Sequence, residues 1–118
     1  YLVCGKDKQY IAKDIIAKSN KNYLIDCYDL KLSVIINVIK DSDFFVGNNS
    51  GPLNLAAALN VKSFGLIANT AISQLKFSKV IPLIPENYVD NQFIKDREEM
   101  KKLTPDKVFL DITKHLNN

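Results

Sequence analysis

Residues 44–59 read Phe-Phe-Val-Gly-Asn-Asn-Ser-Gly-Pro-Leu-Asn-Leu-Ala-Ala-Ala-Leu. The apolar run from Phe44 to Val46 is typical of a buried strand, and Pro52 marks the first turn of an alanine-rich helix. A turn of small polar residues joins the two. Because a strand, a glycine-containing turn and a helix follow one another in this order, the stretch predicts a parallel sheet covered by helices, which is the α/β class.

The rest of the chain repeats this alternation of strands and helices. We predict strands at residues 1–4, 22–27, 43–46, 62–67 and 80–84, and helices at 7–18, 30–40 and 52–59. Residues 90–102 are strongly charged and fit either a surface helix or a loop. A last helix begins at Thr104-Pro105-Asp106, which supplies an N-cap, a first-turn proline and an acidic residue. The pattern predicts a single Rossmann-like parallel-sheet domain over residues 1–118.

Apolar residues spaced three or four apart identify the helix faces that we expect to be buried. They are Ile11 with Ile15, Ala12 with Ile16, the set Leu32, Ile35, Ile36 and Ile39, and the set Val108, Ile112 and Leu116.

Composition excludes several classes of protein. A chain of 118 residues with 47% hydrophobic and 25% charged residues fits one ordered domain. The formal charge of +3 is spread along the chain, so we expect no nucleic-acid groove, which would need a clustered basic stripe. The two cysteines lack metal-site spacing, and we expect neither a metal nor a cofactor. No apolar run approaches the roughly 20 residues of a membrane span.

The turn after the third predicted strand is the best candidate for a binding site. It presents backbone N–H groups at the positive end of a helix dipole, where they suit a phosphate. Gly51 would let an anion approach the backbone closely, and Ser50 adds a hydroxyl donor. The alternative is that Asn49 or Ser50 only caps the helix and Gly51 only serves the turn. Spacing alone does not decide between the two.

Residues 43–70 resemble the signature of the heptosyltransferase family, glycosyltransferase family 9, whose members transfer heptose from ADP-heptose to lipopolysaccharide. In that signature a strand ends in Asp-Ser/Thr-Gly, a histidine follows three residues after the glycine, and Leu-Ala-Ala-Ala-Leu comes next. A strand closing in Phe-Gly-Pro-Thr follows, and Leu66-Ile67-Ala68-Asn69-Thr70 occupies its place here. The segment from Leu103 to Val108 is similar to the family's closing helix, so the resemblance extends over almost the whole chain.

The resemblance implies that residues 1–118 are the C-terminal, nucleotide-sugar-binding half of a two-domain GT-B glycosyltransferase. The diphosphate of the donor would then lie on Ser50, Gly51 and Pro52. Leu30 would lie near the adenine, and Gln9 stands where the family has a glutamate that contacts the ribose. The family's catalytic base belongs to the N-terminal acceptor domain, which this chain lacks, so we expect no catalytic residue here and no activity of the isolated domain. A lipid-linked saccharide acceptor would bind through that other domain. The protein would lie in the cytoplasm, either free or peripheral to a bacterial inner membrane.

Two departures from the signature fall within the predicted site. Asn49 replaces the family's aspartate and Asn54 its histidine. Both asparagines can hydrogen-bond to a substrate, but neither carries a charge or moves a proton. They leave open an altered donor, or a non-catalytic or degenerate α/β binding module. A flavodoxin-like regulatory domain is a third reading, and it lacks the acidic cluster expected of a receiver.

Overall fold

The computed structural model describes residues 1–20, 22–90 and 98–117. They contain α1 (Gln9–Lys18), α2 (Leu32–Lys40), β1 (Phe44–Asn48), α3 (Gly51–Ala58), β2 (Lys62–Leu66), β3 (Val80–Leu83), α4 (Glu98–Lys101) and α5 (Pro105–Leu116), with short 3-10 helices at Lys6–Lys8 and Ile72–Gln74. The chain divides into two compact units, Tyr1–Asp41 and Ser42–Asn118.

The second unit is built on a three-stranded parallel sheet in the order β1-β2-β3. The register pairs Asn48 of β1 with Leu66 of β2, and Leu66 in turn with Leu83 of β3. All three strands therefore end at the same edge of the sheet. The α/β class and the parallel sheet predicted from the sequence are confirmed.

Helices cover this sheet on both faces. Leu53 and Ala57 of α3 pack with Val80 of β3 in one buried cluster. Phe64 of β2 and Leu83 of β3 form a second cluster with Leu103, against which Val108 and Ile112 of α5 pack. Because successive strand residues point to opposite faces, the positions of Val80 and Leu83 put α3 and α5 on opposite sides. The unit is a helix-sheet-helix sandwich.

The last helix, α5, begins where the sequence predicted. Thr104 is its N-cap, with its Oγ1 accepting the Lys107 N–H at 3.3 Å, and Pro105 occupies the first turn. Val108 and Ile112 pack on the core as expected, but Leu116 is 43% exposed. The expectation for Leu116 was wrong: Leu116 is the last residue of α5, and the ring of the preceding residue, His115, lies against Phe64, at 5.9 Å between ring centres.

We expect the Thr104→Ala substitution to destabilise the chain by about 0.5–2 kcal/mol, the usual loss for an N-cap hydroxyl. The helix would keep Pro105 but lose the acceptor for the Lys107 amide. Urea unfolding followed by circular dichroism measures the change. Thr104→Ser, which keeps the hydroxyl, should retain most of the stability, and equal loss in both variants would contradict a capping role.

The first unit contains α1 and α2, but the strands predicted at 1–4 and 22–27 do not form. Their segments meet in one parallel bridge, between Leu2 and Asp26. The bridge is held by Leu2 N–H to the Ile25 carbonyl (2.8 Å) and Cys27 N–H to the Leu2 carbonyl (2.9 Å). The pairing is short because the Tyr23 N–H bonds back to the Asn20 carbonyl in a turn, and because a 3-10 helix begins at Lys6.

Only part of the apolar pattern of the first unit is buried. Ala12 and Ile39 are buried, but Ile11 and Ile15 are 43% and 39% exposed and Leu32 is 66% exposed. Consecutive helix residues are rotated by about 100°, so a face centred on Ala12 turns Ile11 toward its margin. Leu32 is the first residue of α2, where no preceding helical turn covers it.

Candidate functional site

The turn that joins β1 to α3 leaves the first helical amides without a side-chain cap. Ser50 occupies the N-cap position with extended dihedral angles (φ −152°, ψ 176°), yet its side chain makes no capping bond. Its hydroxyl lies 3.1 Å from the Asn48 carbonyl, to which it donates. Simple capping, the alternative raised by the sequence, therefore does not occur through Ser50. This start of α3 contrasts with that of α5, where Thr104 caps.

Gly51 is the first residue of α3 and is exposed. Its φ is not positive, so its backbone does not require glycine. A Cβ built at this position would meet nothing within 4 Å. The fold itself thus gives no reason for a glycine here, whereas close approach of a ligand to the backbone would.

Asn54 lies one turn into α3 and is tied to the same turn. Its backbone N–H and its side-chain Nδ2 both donate to the Ser50 carbonyl, each at 3.1 Å. Its Oδ1 is buried and has no hydrogen-bond partner among the described residues. A buried oxygen without a partner suits a ligand that supplies a hydrogen-bond donor, such as a sugar hydroxyl.

The segment after β2 runs beside this turn. Because Asn48 pairs with Leu66, the residues that follow each strand leave the sheet next to one another. Thr70 is part of the β2 segment, and its Oγ1 is the other buried side-chain oxygen without a partner in the described part of the chain. The predicted site did not include Thr70, although its place four residues after the end of a parallel strand was a usable signal.

Tyr88 and Asp90, from the segment after β3, hold the segment after β2 in place. The Tyr88 hydroxyl donates to the Thr70 carbonyl (2.8 Å) and accepts from the Ile72 N–H (3.1 Å). Asp90 Oδ1 also accepts from the Ile72 N–H, at 2.9 Å. Burial, with the nearby Asp90 carboxylate, raises the pKa of Tyr88, so its hydroxyl keeps its proton at neutral pH. Sequence reasoning missed this contact because residues 71–99 show no clear period.

The other two predicted site residues, Gln9 and Leu30, belong to the first unit. Gln9 Nε2 donates a long hydrogen bond, 3.5 Å, to the Tyr28 carbonyl, two residues before Leu30. Lys13 Nζ lies 5.9 Å from the centre of the Tyr28 ring. Leu30 is 42% exposed. The structure therefore brings Gln9 close to the segment that carries Leu30, and their roles toward ribose and adenine stay predictions.

Comparison with known proteins places the chain in a family. The profile of glycosyltransferase family 9 (heptosyltransferase) matches residues 1–110. The chain belongs to glycosyltransferase family 9. Searches of curated proteins and of solved structures returned no match. Membership implies a glycosyltransferase that uses a nucleotide-sugar donor and a glycan acceptor.

A separate open groove of about 510 Å³ in this family 9 chain lies between the segment after β3 and α5. Its two lysines, Lys107 and Lys114, lie 2.6 and 3.9 Å from the carboxylate of Asp111, which also lines the groove. Because this positive charge is already balanced, the groove is poorly suited to a diphosphate.

The described residues of the family 9 chain contain neither a candidate metal site nor a candidate membrane-spanning helix. Over residues 1–20, 22–90 and 98–117, His, Cys, Asp and Glu side chains nowhere gather in a group of three or more able to hold a metal ion. In the same ranges, none of the helices combines the length and the apolar character needed to cross a membrane.

Proposed function

We propose that this chain is the donor-binding half of a GT-B glycosyltransferase and that it holds a nucleotide diphosphate sugar at the turn between β1 and α3. The observation that carries the proposal is the start of α3, in a chain of family 9, where no side chain caps the helix and Gly51 leaves the backbone open. A diphosphate placed there accepts hydrogen bonds from N–H groups of the first turn, to which Pro52 contributes none, and meets the positive end of the helix dipole.

Side chains of the turn complete the proposed donor site. Residues 47–54 contain no lysine or arginine, so the helix end supplies the favourable electrostatics of the turn itself. The Ser50 hydroxyl can turn from the Asn48 carbonyl toward a phosphate oxygen, since rotation about χ1 costs it one exposed hydrogen bond. Asn49 and the unpaired Asn54 Oδ1 can bond hydroxyls of the sugar.

The finer assignment follows from the family. Family 9 is the heptosyltransferase family, and we propose ADP-heptose as the donor and a lipopolysaccharide-type saccharide as the acceptor. On this proposal the acceptor binds a second, N-terminal domain that also carries the catalytic base. Transfer would take place in the cytoplasm, at the inner membrane where a lipid-linked acceptor lies.

Titration calorimetry of this chain with ADP, UDP, GDP and AMP tests the proposal. We expect a nucleoside diphosphate to bind and AMP to bind at least several-fold more weakly, because the second phosphate makes the contacts at the start of α3. The rival function, a binding module without transferase activity, is favoured by the asparagines at positions 49 and 54. A chain that binds none of the four ligands would contradict the donor site and support that rival.

We expect the paired substitutions Asn49→Asp and Asn54→His, made in the protein that also carries the acceptor-binding domain, to raise the rate of transfer from ADP-heptose. Charge-assisted hydrogen bonds exceed neutral ones by about 1 kcal/mol, so roughly a fivefold gain is expected. Release of ADP in the presence of acceptor measures the rate.

The matched control for these substitutions is Asn60→Asp, which adds the same charge at the opposite end of α3, where Asn60 has φ 61° and accepts a bond from Lys79. This variant should leave the rate unchanged. Lost activity toward the native donor in the Asn49→Asp, Asn54→His variant would mean that the asparagines are adapted to a different sugar nucleotide.

A further inference from the structure

The Thr70 hydroxyl is unusual among the buried hydroxyls described in the second unit because it has no hydrogen-bond partner. Ser63 Oγ, which is also buried, donates to the Val61 carbonyl at 2.8 Å, and Thr113 Oγ1 donates to the Phe109 carbonyl at 2.8 Å. Thr70 Oγ1 is buried without any bond, although the residue as a whole is only half-buried. Native proteins rarely leave a buried hydroxyl unpaired without a functional reason.

The backbone around this hydroxyl is held firmly. The Thr70 carbonyl accepts from the Tyr88 hydroxyl, and the Ile72 N–H is shared by Tyr88 and Asp90. These bonds fix the main chain on both sides of Ala71 and leave rotation about χ1 as the simplest motion of Thr70. That rotation moves the hydroxyl to the place of the methyl group, in a residue that is itself partly exposed.

Thr70 also lies in the segment that follows β2, the strand next to β1, which leads into the proposed phosphate position. Neighbouring strands are about 4.8 Å apart, so the segments after β1 and β2 can contact adjoining groups of one ligand. In a nucleotide diphosphate sugar, the groups that adjoin the diphosphate are the ribose and the transferred sugar. Both rings carry hydroxyls that donate and accept, as the threonine hydroxyl does.

We propose that Thr70 is a further donor-binding residue, whose hydroxyl bonds a sugar hydroxyl adjoining the diphosphate, and that Tyr88 and Asp90 are its positioning residues. This inference rests on the proposed donor site at the start of α3.

The Thr70→Val substitution tests the proposal, because valine has the shape of threonine without the hydroxyl. Removing an unpaired buried hydroxyl should leave the melting temperature unchanged or raise it. The same substitution should weaken ligand binding about 3- to 10-fold, the effect of one lost hydrogen bond. Calorimetry with ADP and with ADP-heptose identifies the ring that is bound. Weaker binding of both ligands would mean that Thr70 bonds the ribose. Weaker binding of ADP-heptose alone would mean that it bonds the transferred sugar.

Thr113→Val is the matched control, since its hydroxyl bonds a carbonyl within α5. It should leave both affinities unchanged. If Thr70→Val lowers the melting temperature and changes neither affinity, the hydroxyl has a structural partner and the proposal is wrong. If the unsubstituted chain binds neither ADP nor ADP-heptose, the proposed donor site itself fails, and this inference fails with it.

Tyr88→Phe separates positioning from binding. Loss of the Tyr88 hydroxyl should speed amide hydrogen exchange at Ile72. It should also lower the affinity for the same ligand whose binding Thr70→Val weakens. Thr70→Val itself should leave the exchange rate at Ile72 unchanged. In a chain that already carries Thr70→Val, the Tyr88→Phe change should have no further effect on affinity. Additive losses in the double variant would show that Tyr88 acts independently of Thr70 and would overturn its positioning role.

Discussion

Replacing Gly51 by valine should weaken nucleoside diphosphate binding at least tenfold, or about 1.4 kcal/mol, while the chain stays folded. The added side chain would stand at the first helical residue, where the proposed site needs an anion close to the backbone. It should not disturb the fold, because a Cβ there meets nothing within 4 Å and the φ of Gly51 is already accessible to other residues. Calorimetry with ADP and urea unfolding measure the two effects separately.

Gly65→Val is the control for this substitution, because it makes the same change in the middle of β2. A Cβ at Gly65 would lie 3.0 Å from Val80 Cγ1 and 3.1 Å from Leu53 Cδ2, between β2 and α3. Overpacking of this kind costs about 1–3 kcal/mol of folding free energy. We therefore expect Gly65→Val to lower stability and Gly51→Val to lower affinity. A Gly51→Val chain that unfolds would show that the glycine serves the turn.

We also expect this chain by itself to have no transferase activity. It should bind a nucleoside diphosphate weakly and transfer no sugar. Each neutral hydrogen bond contributes about 0.5–1.5 kcal/mol net, so the few contacts of one helix start support only modest affinity. Transfer also needs a general base to activate the acceptor hydroxyl. Residues 47–54 contain no histidine or carboxylate. Asp43 precedes β1 and so lies at the opposite end of the strand, roughly 16 Å away for five residues.

An assay of ADP release from ADP-heptose, with a lipopolysaccharide-type acceptor, measures this prediction. An active family 9 enzyme in the same assay is the positive control. Sustained release that depends on the acceptor, with this chain as the only protein, would contradict the division of labour between two domains. Variants of Asp7, Asp29 and Asp43 would then be the first to examine as bases.

The elements that the sequence predicted well are those with a strong local signal. β1, β2 and β3 and the helices α1, α2, α3 and α5 lie within two residues of their predicted bounds, because short apolar strands, helical periodicity and proline-marked helix starts are encoded in nearby residues. The strands predicted at residues 1–4 and 22–27 were equally apolar. In the described residues these two segments meet in a single bridge, between Leu2 and Asp26, and no local pattern reports how long two distant segments stay paired.

The candidate site likewise has a part that the sequence predicted and a part that only the structure revealed. The sequence by itself determined the family and predicted the contiguous part of the candidate site, since Asn49, Ser50, Gly51, Pro52 and Asn54 follow one strand and need no distant contact to stand together. Only the tertiary structure decided that Ser50 does not cap α3 and that Asn54 and Thr70 each keep an unpaired oxygen. It alone joined Thr70 to Tyr88, 18 residues apart. The physical reason is that hydrogen-bond satisfaction depends on which groups meet in space, and parallel strands bring together segments that the chain keeps far apart.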